Sequence, residues 1–93
     1  MNSREYKSLL VAGLVREAAA MGDAALTLDI DEARFRAQLI ATQANEAGYV
    51  DVALEATRLL LLLGPLGTAP SPGYGAAMLR MADALDALGF DPT

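Results

Sequence analysis

The chain has 93 residues, a formal net charge of −5, 54% apolar residues, 5% aromatics, and no cysteine, histidine or tryptophan. That length supports one domain with one core. The acidic balance repels a phosphate backbone, and the missing residue types remove disulfides, thiolate metal sites, histidine-based triads and conventional zinc sites.

Much of the apolar content is alanine and leucine, both strong helix formers, and β-branched residues are sparse. A sheet is not expected. A chain without cysteine is compatible with a reducing compartment, and the cytoplasm is the expected location. Met1 to Gly22 does not read as a signal peptide: its apolar run from Leu9 to Val15 is short and ends in Arg16-Glu17. Leu59 to Leu79 carries no charge and is long enough to span a bilayer, but Pro65, Pro70 and Pro72 interrupt it. Those breaks would strand backbone groups in hydrocarbon, so no transmembrane segment is expected.

The first predicted helix runs from about Ser3 to Met21. Tyr6, Leu10, Leu14, Ala18 and Met21 share one face at helical spacing. Leu9 and Val15 fall off that stripe and call for cover on a second side. Gly22-Asp23 marks the predicted end.

The second runs from about Ile30 to Ala47. Asp29 and Glu32 have capping-box spacing, with Asp31 a rival cap. Ala33, Ala37, Ile40, Ala44 and Ala47 form an inner face small enough for close helix approach. Phe35 and Leu39 lie on roughly the opposite face and need their own cover. Arg34 and Arg36, the only close basic pair in mid-chain, read as a solvated face rather than a phosphate clamp.

Gly48 suits a left-handed helix stop. The third helix then spans about Val50 to Leu63 and ends in five leucines before Gly64-Pro65. Ala53, Ala56, Leu60 and Leu63 give its apolar face, widened by Leu59 and Leu61. Asp51, Glu55 and Arg58 form a polar stripe expected to face water, and Leu62 continues it. A second chain, the proline-rich loop after it or the first helix must cover Leu62. "GPLGTAPSPG" is that loop. The fourth helix, about Tyr74 to Leu88, carries the stripe Tyr74, Met78, Met81, Leu85 and Leu88, with Arg80, Asp83 and Asp86 outward. Gly89 fits the stop, with Phe90 folding back onto Leu85.

The expected fold is therefore all-α, a single domain built as a four-helix antiparallel bundle or as two stacked helical hairpins. Between Ala37 and Pro65, Ala41, Gly48, Ala53 and Pro65 fall where a tetratricopeptide-type hairpin places a small residue, a turn, a close crossing and a terminal proline. The window resembles that family. It departs from it at Ala37, Ala44 and Thr57, where the family prefers aromatics, and at Leu60, where it prefers a small residue. The resemblance implies a helical adaptor holding a protein or peptide segment, with no chemistry of its own.

Chemistry-bearing motifs are absent or better explained otherwise. Asp29, Asp31 and Glu32 read as helix capping. An EF-hand loop from Asp29 lacks the central glycine and has Ile40 where a chelating glutamate belongs. "GYGAAM" lacks the lysine and glycine spacing of a phosphate loop. Acidic four-helix acyl carriers have about this size, but they need a serine in an Asp-Ser-Leu setting, and Ser71 sits in "APSPGYG". Met78 and Met81 read as core.

What stands out is surplus apolar surface, which marks association sites. The expected function is a non-catalytic protein–protein interaction module, an adaptor, small chaperone or regulator, with no cofactor or metal. Its partner is another protein or a second copy as a homodimer, with no nucleic acid and no membrane. Phe35, Leu39, Leu59, Leu62 and Leu66 are the candidate partner-binding residues. The alternative is a small helical ligand-binding protein or enzyme using carboxylates in a bundle pocket. It requires Asp51, Glu55, Asp83 and Asp86 to converge. A peripheral membrane binder is disfavoured by the acidic charge.

Overall fold

Four helices fill residues 3–89, the part of the chain that the computed structural model describes: α1 Ser3–Leu26, α2 Ile30–Ala47, α3 Val50–Leu63 and α4 Tyr74–Gly89. No strand occurs among the described residues. The expected contact of Phe90 with Leu85 lies outside them.

The predicted bounds of α2 and α3 match the helices found. α1 runs on past Gly22 to Leu26. Ala24, Ala25 and Leu26 are good helix formers, and a single glycine costs only about 1 kcal/mol. The true stop is a Schellman motif: Asp29 N–H donates to Ala24 O (2.8 Å) and Leu28 N–H to Ala25 O (3.1 Å). Leu28 takes the left-handed conformation there, with φ 63°. The same motif ends α2, with Tyr49 N–H to Ala44 O (2.8 Å) and Gly48 N–H to Asn45 O (3.2 Å). There Gly48 supplies φ 82° without steric cost.

These tight turns set α2 antiparallel to α1 and α3 antiparallel to α2, and the longer loop 64–73 brings the chain back as α4. α1 packs on α2, α2 on α3, α3 on α4, and α4 returns to α1, while the backbones of the diagonal pairs stay apart. The closed ring is an antiparallel four-helix bundle. Leu14, Met21, Ile40, Val52, Leu59, Leu63, Met81 and Leu85 are its largest fully buried side chains. α2 contributes the expected small inner face of Ala33, Ala37, Ile40 and Ala44, all buried. Each large aliphatic contributes roughly 1.5–3 kcal/mol on burial.

α1 is covered less than its sequence requires. Tyr6, placed on its inner stripe by spacing, is exposed, as are Leu9 and Val15. Among the described side chains of α1, Leu14, Met21 and Ala24 are the buried ones, with Ala18 packed beside them.

α3 is rotated from its expected orientation. Its buried face is Val52, Ala56, Leu59 and Leu63, with Ala53 and Leu60 packed at its margin. The stripe of Asp51, Glu55, Arg58 and Leu62 turns toward α4. Glu55 Oε2 lies 3.6 Å from Arg80 Nε on α4, and Leu62 packs on the chain's own core. The Leu62 backbone is held from within the chain too, since Ser71 N–H in the proline-rich loop donates to its carbonyl at 2.7 Å.

Candidate protein-interaction surface

The start of α2 and the end of α3 are fastened by one side chain. Arg34 is 5% exposed. Its Nε donates to Leu63 O at 3.1 Å, and its Nη2 donates to the same carbonyl and to Thr68 O at 2.6 Å. Its Nη1 meets Asp31 Oδ1 at 2.5 Å. Asp31 also accepts from Gly67 N–H at 3.0 Å. The last carbonyls of a helix have no intrahelical donor, and a cation there also complements the helix dipole. Arg34 is thus not the solvated residue its sequence context suggested. The Gly67 N–H first, and the Arg34 guanidinium second, hold the Asp31 carboxyl below its ordinary range.

The neighbouring arginine ties α2 to α1. Arg36 pairs with Glu17 and with Glu32, both at 2.8 Å, and Glu17 first, then Glu32, raise its guanidinium above the ordinary range. Asp29 caps α2 by accepting from Glu32 N–H at 3.3 Å. The Glu32 side chain goes to Arg36, so only half of a capping box forms.

With the polar stripe of α3 turned to α4, the face of α3 aimed at water is Val50, Leu54, Thr57 and Leu61. Val50 is 71% exposed and Leu61 77%. Beside this stripe runs a groove of about 530 Å³ between α2 and α3. Gln38, Thr42 and Asn45 form its α2 wall, Val50, Leu54 and Thr57 its α3 wall. Gln38 Nε2 donates to Thr42 Oγ1 along that wall (3.3 Å). Among the residues lining the groove, Glu46 at one end carries the only charge.

The five candidate residues separate. Phe35 is 54% exposed on the outer side of α2, with the Arg36 guanidinium 5.7 Å from its ring centroid. Leu39 is half-buried, and Leu66 is exposed in the loop after α3. Leu59 is fully buried and taken by the chain's own core, and Leu62 packs at the core margin. Neither of these two presents its side chain as an outward patch in this fold.

Sequence reasoning missed Val50, Leu54 and Leu61. Their 4-3-4 spacing with Thr57 is readable in the sequence, but the charged stripe beside it competes with them for the solvent side. The carboxylates named for a bundle pocket do not converge. Asp51, Asp83 and Asp86 are exposed, and Glu55, half-buried, sits between Arg58 (3.1 Å) and Arg80 (3.6 Å). Among the described residues no three metal-ligating side chains come together, and no helix is long and apolar enough to cross a membrane. No family model, curated protein or solved structure matches the chain.

Proposed function

We propose that this chain is a non-catalytic protein-interaction module whose first partner is another copy of itself. One observation carries the reading: α3 presents apolar side chains on its outward face as well as on its core face. Val50, Leu54 and Leu61 remain 71%, 46% and 77% exposed, and leaving such residues in solvent forgoes part of the burial free energy that makes apolar residues useful. Grouped apolar exposure on a small domain marks a contact surface. Phe35 adds an aromatic of the kind enriched at interface centres.

Light scattering over a range of concentrations tests the homodimer form. Doubling of the mass toward high concentration is expected, and a strict monomer throughout would remove it. The chain immobilised on a support, compared with a Leu61→Glu variant, tests the form with a different protein. A partner retained equally by both does not use this face.

A further inference from the structure

We infer that the second copy docks on the outward stripe of α3, antiparallel to it, about a twofold axis passing between Leu54 and Thr57. This rests on the self-association reading above and adds the surface and the register.

The stripe is self-complementary. Its members Val50, Leu54, Thr57 and Leu61 are spaced four, three and four residues apart, a sequence of steps that reads the same in both directions. Rotation about the proposed axis sets Val50 against Leu61 of the other copy and Leu54 against Thr57. Four-three-four is also the a/d spacing of a coiled-coil seam, in which each side chain enters a hole on the facing helix. α3 thus carries a two-heptad seam on the side away from its own core.

Charge selects for this face. Each copy carries a formal net charge of −5, so two copies meet at least cost where like charges are absent. The stripe itself is uncharged. Asp51 and Arg58 flank it on the α4 side, both exposed. The twofold keeps those flanks together, so Asp51 of one copy lies within two residues' rise of the level of Arg58 in the other. Opposite charges then face each other twice across the axis.

A standard interface takes about 800 Å² from each copy, more than the seam of one 14-residue helix offers. The outer wall of α2 must join it, and the register allows that. Arg34 bonds the carbonyl of Leu63, which puts Phe35 beside the last turn of α3, around the level of Leu62. The rotation carries that level to the turn before Val50, where Gly48 and Val50 line the end of the α2–α3 groove. The exposed phenyl ring of one copy therefore arrives at the groove end of the other.

The absence of cysteine makes the register directly measurable. Leu54→Cys and Thr57→Cys proteins, mixed and mildly oxidised, should form the mixed disulfide dimer at least about tenfold faster than either protein alone. Equal rates in all three reactions would overturn the register. Thr57→Lys and Leu61→Glu should each weaken dimerisation by about 100-fold or more, because each change enters the interface twice. Both positions are exposed, so the far-UV circular dichroism should be unchanged. Thr57→Lys removes no large apolar side chain and serves as the check should Leu61→Glu disturb folding. Leu79→Glu, on the exposed side of α4, should leave the dimer intact. A dimer that survives Thr57→Lys and Leu61→Glu but fails with Leu79→Glu keeps the self-association reading and refutes this surface. A wild-type chain monomeric at every concentration overturns both.

Discussion

Replacing Arg34 with alanine is expected to destabilise the bundle by about 3–4 kcal/mol. The guanidinium is buried and donates to two backbone carbonyls, those of Leu63 and Thr68. A hydrogen bond involving a charged partner contributes about 1.5–3 kcal/mol net. Two such contacts give about 3–6 kcal/mol, and the part-buried position of the Thr68 contact puts the sum in the lower part of that range. The third partner, Asp31, has a side chain 54% exposed, so solvent screens that ion pair and it adds little. Against a total of about 5–15 kcal/mol for a domain, this is a large fraction. It corresponds to a fall in Tm of about 15–25 °C for a chain of this size. Urea and thermal unfolding followed by circular dichroism at 222 nm measure it. Arg34→Lys keeps the charge but loses the planar fork, so it should recover less than half of the loss. A cost below about 1 kcal/mol for alanine, or wild-type stability for lysine, would refute the reasoning. The end of α3 would then be held by packing alone.

Asp31 gives the clasp a pH signature. Its folded pKa is depressed below the ordinary value of 3.8, so its contribution is fully present above that value and is lost as pH falls through the folded pKa. The Tm difference between wild type and Asp31→Asn should therefore stay constant above about pH 5 and shrink toward zero below pH 3.8. The two Schellman turns should respond in opposite senses. Leu28→Gly relieves a left-handed leucine that is 78% exposed and should stabilise by up to about 1 kcal/mol, whereas Gly48→Ala introduces that strain and should cost about 1–2 kcal/mol. A Cβ at Gly48 meets nothing within 4 Å, so the cost there is purely conformational, and denaturant midpoints for the two variants decide both signs. Ala37→Leu forces a branched side chain into the fully buried face of α2 and should cost at least about 1–3 kcal/mol by the same assay.

The helices themselves were legible because their signals are local. Asp29 at the cap of α2, Gly48 at its end and Gly64-Pro65 after α3 act through backbone geometry within a few residues, and all three mark real boundaries. α1 overran its predicted end because the expected stop, Gly22, is tolerated inside a helix, while the actual stop relies on a strained leucine that no propensity would nominate. Arg34 was illegible for a different reason. Nothing within its own helix shows that the free carbonyl of Leu63 lies beside it; that proximity is a product of the α2–α3 turn and the antiparallel packing. A buried arginine is indistinguishable in sequence from a solvated one until its acceptor, 29 positions away, is brought to it.

The orientation of α3 shows how a charge pattern misleads when a helix has neighbours on two sides. Asp51, Glu55 and Arg58 look like a solvent face because they are charged and in line. Yet Glu55 has a cation to meet on α4, Arg80, and an arginine–carboxylate contact at a helix–helix margin can remain partly hydrated while the helices pack. Once that stripe is placed against α4, helical geometry leaves no freedom: the residues about 180° from Val52, Ala56, Leu59 and Leu63 must face outward, and they are Val50, Leu54, Thr57 and Leu61. Leu61 is then the leucine of the five-leucine run that the fold leaves uncovered, not Leu62. α3 has two apolar faces back to back, and the bundle uses only one. A helix of this kind is suited to sit between its own core and a second one. Pairing it with the outward face of another α3, as proposed above, would bury the second of those faces as well.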